Sequence, residues 1–188
     1  MKLSIILFIL FFLVILPAHA LAQMPSLAMT VSPSPGPSPT PVSVNYTLPY
    51  PGILADNPLY PLKTLRDNII GWLISNPLKK AKFDLLQSDK RLQIGVYLIQ
   101  KDKTETSLAI STISKGENYL TEAVNKAKQA KKQGEVTNDL FNTLHTAILK
   151  HEEVLKMLKD EVAASQKDSF TRMYTSELEL DKQLPHAK

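Results

Sequence analysis

The sequence predicts an all-α protein: an up-and-down antiparallel bundle of about three long helices, with a short helix before them and a weaker one after, preceded by a disordered proline- and serine-rich linker. Three observations carry this. From Leu59 onward apolar residues recur at spacings of three and four, and prolines are confined to Pro61, Pro77 and Pro185. No stretch alternates with period two and is enriched in β-branched residues, so no sheet is expected. The chain has no cysteine, which excludes a disulfide framework, thiolate metal sites and a cysteine nucleophile, and leaves packing to hold the fold.

The first element is not structural. Lys2, the apolar run Leu3–Leu16, Pro17 and the small residues Ala18, Ala20 and Ala22 have the order of a secretory signal peptide, residues 1–22. Cleavage after Ala20 or Ala22 is the preferred reading. An uncleaved anchor is the alternative, although a membrane span wants about 20 apolar residues. Either way the chain is expected to be exported, extracellular or associated with the cell envelope. Without the leader about 166 residues remain, enough for one ordinary domain and a tail. Residues 23–45 read as a linker because prolines alternate with serines from Ser32 to Pro41, which imposes extended backbone and removes amide donors.

The helical domain is expected over residues 46–184, with an extended strap at 46–59 and a short tail at 185–188. Helix one is expected at Tyr60–Ile74 with Leu62, Leu65, Ile69, Trp72 and Leu73 inward. Ser75-Asn76-Pro77 supplies a stop, a cap and a first-turn proline, so helix two should run from Pro77 to Lys101 and bury Leu78, Ala81, Leu85, Leu92, Val96 and Ile99. Helix three, Thr104–Gln133, carries a slim stripe of Ala109, Ile113, Gly116, Leu120, Ala123, Ala127 and Ala130 that lets a neighbour approach closely. Gly134 should end it. Helix four starts at Thr137 or Asn138 and has a heptad-like, coiled-coil-type seam of Phe141, Leu144, Ile148, His151, Leu155, Leu158 and Val162. A break is expected near Lys167–Ser169, before a terminal helix with Phe170, Tyr174 and Leu178 on its apolar face.

The segment Tyr46–Lys63 is too particular for a generic linker. Pro49, Pro51, Pro58 and Pro61 preset an extended path, Gly52 permits a bend, and Asp56 or Asn57 can satisfy amides near the start of helix one. Tyr46, Tyr50, Leu54, Leu59 and Tyr60 are expected to lie as a strap over the bundle. The words Leu48-Pro49-Tyr50-Pro51-Gly52-Ile53-Leu54 and Asp56-Asn57-Pro58-Leu59-Tyr60-Pro61-Leu62-Lys63, followed by Lys79–Leu85 and Ser88–Leu92, resemble a family of exported bacterial helical proteins classed as a domain of unknown function (DUF5667). Ala55 departs from the proline expected there. The resemblance implies an all-helical exported domain and brings no catalytic residues.

The candidate chemistry is sparse. Asp89 interrupts the apolar stripe of helix two, and a buried carboxylate needs a partner, for which Arg66 or Lys63 on helix one is expected. His151 lies on the seam of helix four and reads as a core imidazole bonded to a neighbour rather than a ligand or switch. His145 is six residues earlier and faces elsewhere, so the pair lacks the spacing at which two imidazoles share a metal, and no metal is expected. No nucleophile elbow and no phosphate-cradling loop are present. The residues singled out as structural or interaction candidates are Tyr50, Gly52, Asp56, Pro58, Tyr60, Pro61, Arg66, Asp89 and His151.

The formal net charge of +4 is too weak for nucleic acid. The expected function is that of an exported, non-enzymatic interaction module with no catalytic residues and no cofactor. Its expected partner is an envelope or extracellular protein or polymer, with self-association also open and membrane contact only through an uncleaved N-terminal segment. The alternative is a sensory bundle holding a small apolar molecule between helix three and the aromatic strap. An enclosed apolar pocket would favour the alternative; a filled core with an exposed apolar patch would favour the module.

Overall fold

A computed structural model describes residues 43–185. The expected leader, most of the linker and most of the tail lie outside them. Among the described residues all regular structure is helical: α1 (Tyr60–Leu73), α2 (Pro77–Lys101), a 3-10 turn (Lys103–Glu105), α3 (Thr106–Lys132), α4 (Asn138–Glu161) and α5 (Ala164–Asp181). The long helices α2, α3 and α4 form the up-and-down bundle, with α5 packed on α4 and α3.

The helix ends follow local chemistry. The Asn76 side chain accepts the Lys79 amide at 2.8 Å, and Pro77 occupies the first turn of α2. Gly134, at φ +83°, ends α3 in a left-handed cap: the Gly134 amide bonds to Lys131 O at 3.0 Å and the Glu135 amide to Ala130 O at 3.1 Å. The break between α4 and α5 falls at Val162–Ala163, earlier than the expected Lys167–Ser169. Val162 is buried there in extended backbone, so the chain turns as soon as the α4 seam is filled.

The core has two lobes. In one, Leu85, Leu120, Ala123, Ala127, Phe141, Leu144 and Ile148 meet; in the other, Leu92, Ile99, Ala109, Ile113, Leu155, Leu158 and Phe170. The slim stripe of α3 does bring α2 close. A Cβ on Gly95 would lie 2.4 Å from Ile113 Cγ1, and one on Gly116 would lie 3.1 Å from Arg91 Cβ and 3.2 Å from Ser88 O. Helices this near gain dispersion contacts that larger side chains would hold apart.

One expectation about faces is overturned, in α1, and one is extended, in α5. In α1 the residues expected inward point outward: Leu62, Leu65, Ile69, Trp72 and Leu73 are all at least half exposed, while Lys63, Asp67 and Gly71 are buried. In α5 the inward stripe is Phe170, Met173, Glu177 and Leu180, with Tyr174 and Leu178 at its edge. In α1 the apolar series visible in the sequence is real, but polar contacts with neighbouring helices draw a different face inward, whereas α5 keeps Phe170 inward and adds Met173 and Leu180. The strap is partly as expected. Tyr46, Leu48, Leu54, Ala55 and Tyr60 pack on the core, whereas Tyr50 and Leu59 are exposed.

Candidate functional site

Between the two lobes, one turn from each long helix brings ionisable groups together in the interior. Asp89 comes from α2, Glu117 from α3, His151 from α4 and Glu177 from α5. His151 is 1 % exposed and both its ring nitrogens face carboxylates, Nε2 at 2.9 Å from Asp89 Oδ1 and Nδ1 at 3.1 Å from Glu177 Oε1. The strap closes the arrangement, because the Tyr46 hydroxyl donates to Asp89 Oδ2 at 2.7 Å. The strap is held in turn by Glu153 of α4, whose Oε2 accepts the Val44 amide at 2.8 Å.

The electrostatics follow from burial. Burial alone disfavours an imidazolium, but the hydrogen bonds to Asp89 and Glu177, together with their charges, outweigh it and raise His151 to about 9. Both nitrogens are then donors, which suits two facing carboxylates. Burial, followed by the charge of Glu177 and a hydrogen bond to it, pushes Glu117 up to about 10, so Glu117 carries the proton that lets two adjacent carboxyl groups coexist. Burial and then Asp89 raise the Tyr46 phenol, which stays a donor. Apart from the Glu117 proton, nothing among the described residues is placed to donate to the buried Glu177 Oε2. Glu117, His151 and Glu177 place one ligand atom each within 4.8 Å of one another.

The expected partners of Asp89 are therefore wrong. Arg66 and Lys63 bind Asp67 of their own helix: Arg66 Nη2 donates to Asp67 Oδ1 at 2.7 Å, and Lys63 Nζ lies 4.0 Å from Oδ2. Asp67 is 3 % exposed, and on α2 the buried Arg91 guanidinium stacks 4.2 Å from the Tyr119 ring centroid. The Tyr119 hydroxyl donates to Asn68 Oδ1 at 3.2 Å, and Gly71 lets Phe83 approach α1. This polar seam turns α1 over and leaves its apolar face in solvent.

The remaining sequence candidates are dispersed. Asp56 pairs with Lys101, Asn57 Oδ1 accepts the Leu59 amide at 2.9 Å, and Gly52 has φ +75°. Pro58 and Pro61 are exposed, and Tyr60 is half-buried with the Lys63 ammonium 5.2 Å from its ring. Sequence reasoning missed Glu117 and Glu177, which read as ordinary helix-surface carboxylates. One signal was available: Glu177 lies seven residues after Phe170, on the same helical face. His145 makes an exposed pair with Asp181 at 2.6 Å and stands apart from the cluster.

Among the described residues no helix is long and apolar enough to cross a membrane. No curated protein and no solved structure gives a match to the chain. The profile described as "Domain of unknown function (DUF5667)" matches residues 52–165, from the strap through the end of α4. That span covers more than half of the sequence, and the chain belongs to the DUF5667 family.

Proposed function

We propose that this chain is an exported, non-enzymatic interaction module whose contact surface is the outward face of α1, and that this face lies on an anionic lipid surface of the cell envelope. The observation that carries the reading is the inverted helix. Leu59, Leu62, Leu65, Ile69, Ile70, Trp72 and Leu73 are 41–84 % exposed and occupy one side of α1 and its entry. At roughly 200 Å² for a large side chain in full exposure, they present on the order of 800 Å² of apolar surface, beyond the few hundred Å² usual on a soluble monomer.

Chemistry favours lipid as the occupant. Arg66, Lys79 and Lys82 are exposed basic side chains on α1 and the first turns of α2. An apolar helical face bearing tryptophan and accompanied by lysine and arginine is the composition of helices that lie in the membrane interface. If the apolar run Leu3–Leu16 is kept as an anchor, it tethers the chain to a membrane. The alternative sensory bundle has less support, because the space between α3 and its neighbours is filled by Leu85, Phe141, Leu144 and Ile148 packed against the alanines.

Trp72 is the single tryptophan and is 84 % exposed, so it reports its own surroundings. Vesicles containing phosphatidylglycerol should shift its fluorescence to the blue and sediment the chain, whereas pure phosphatidylcholine vesicles should do so weakly. Ile69→Asp should weaken vesicle binding by about tenfold or more without lowering the melting temperature. No shift and no sedimentation with anionic vesicles would refute the reading. A blue shift that instead follows protein concentration without lipid, with dimers in solution, would assign the face to a second copy.

A further inference from the structure

We propose that Glu117, His151 and Glu177 form a binding site for one divalent first-row cation of the zinc or manganese class, with Asp89 and Tyr46 fixing the imidazole behind it. The three ligand atoms come from three different helices and lie within 4.8 Å of one another. Tetrahedral ligands at about 2.0–2.2 Å from an ion stand about 3.3–3.6 Å apart, so the side chains must draw in by up to about 1.5 Å to close the site.

Three features point to a cation. Glu177 is 0 % exposed and its Oε2 accepts from no N–H group among the described residues, so either the Glu117 proton or a cation must satisfy it. Glu117 and Glu177 are adjacent carboxylates, which need either a shared proton or a positive ion between them. His151 Nε2 is engaged by Asp89 Oδ1 at 2.9 Å, and Asp89 Oδ2 is fixed by the Tyr46 hydroxyl at 2.7 Å. That carboxylate–histidine relay directs Nδ1 at the other two ligands, which is the supporting arrangement metal-binding histidines ordinarily have. Finally, an open cleft lined by Ser114, Glu117, Asn118, Arg172 and Ser176 leads to Glu117 from the α3–α5 side and offers a path of entry.

The donor set selects the ion. One imidazole nitrogen with carboxylate oxygens suits zinc or manganese, whereas magnesium sheds its water reluctantly and would be poorly served in a closed interior. The ion would clamp α5 to α3 and α4, and α5 lies beyond the family-matched span, which ends at residue 165.

The test uses the full chain, stripped with a chelator and titrated with zinc chloride, manganese chloride and, as a control, magnesium chloride. Zinc or manganese should bind one ion per chain and raise the melting temperature. Glu117→Gln alters the most exposed of the ligands and should keep the fold while lowering affinity at least tenfold. Asp89→Asn should lower it by about 10–100-fold through misorientation of His151. His145→Gln, which removes the exposed pair with Asp181, should change nothing. Absence of binding and of any melting shift with both ions would overturn the proposal. So would binding that survives Glu117→Gln or disappears in His145→Gln.

Discussion

Replacing Asp89 by alanine tests the central network most directly. Its carboxylate accepts from His151 Nε2 at 2.9 Å and from the Tyr46 hydroxyl at 2.7 Å, all in the interior. The substitution leaves a buried imidazolium with one carboxylate instead of two and a phenol with no acceptor. Breaking a buried pair from one side costs about 3–5 kcal/mol, and a domain of this size loses about 2–4 °C in melting temperature per kcal/mol. The metal-stripped variant should therefore melt about 6–20 °C lower. Tyr46→Phe removes only the hydrogen bond to a charged group and should cost about 1.5–3 kcal/mol. The double variant should lose less than the sum, because both changes delete the same contact. Urea unfolding followed by circular dichroism gives the free energies, and hydrogen exchange of residues 43–59 reports whether the strap loosens. An Asp89→Ala protein within about 0.5 kcal/mol of the parent, the range of ordinary surface substitutions, would refute the buried network.

Three further outcomes follow from the geometry. Gly95→Val should destabilise by about 1–3 kcal/mol through overpacking, since its Cβ would lie 2.4 Å from Ile113 Cγ1; adding Ile113→Ala should recover part of the loss, and a neutral Gly95→Val would show that α2 and α3 are not in close contact. Gly134→Ala should cost about 1 kcal/mol, because φ is +83° while no neighbour crowds the added methyl group, so an unchanged melting temperature would refute the left-handed cap. In metal-stripped protein, His151 rises from 6.5 to about 9 on folding, so its contribution is complete below pH 6.5 and is lost as pH climbs through 9. That loss amounts to about 3 kcal/mol, with Glu117 acting in the same direction, and a stability profile that stays flat from pH 6.5 to 9 would refute the charged imidazole.

The contrast between α2 and α1 shows what the sequence could determine. In α2 the stop at Ser75, the cap at Asn76 and the proline at Pro77 act on backbone groups a few residues away, so the start of the helix was legible from those residues alone. The stripes of α3 and the seam of α4 were equally legible because alanine, leucine and isoleucine gain free energy in any dry environment and need no particular partner. For α1 the same argument failed. Its apolar face is genuine, but Gly71 and Asn68 meet Phe83 and Tyr119 across the interface, beside the buried Lys63–Asp67 pair, and settle which side faces inward.

The candidate site divides the same way. The sequence showed that Asp89 and His151 stood on buried faces and that each needed a partner, which is a consequence of desolvation. It did not show that they would be each other's partner, 62 positions apart, or that Glu117 and Glu177 would join them. Helical periodicity fixes the direction of a side chain relative to its own axis, whereas pairing between helices depends on their relative rotation and height. Those are set jointly by the close approach at Gly95 and Gly116, the polar seam under α1 and the turn at Val162–Ala163. Local residues determined the helices, their ends and most of their buried faces; only tertiary packing decided which charges meet inside and which apolar face is left to the outside.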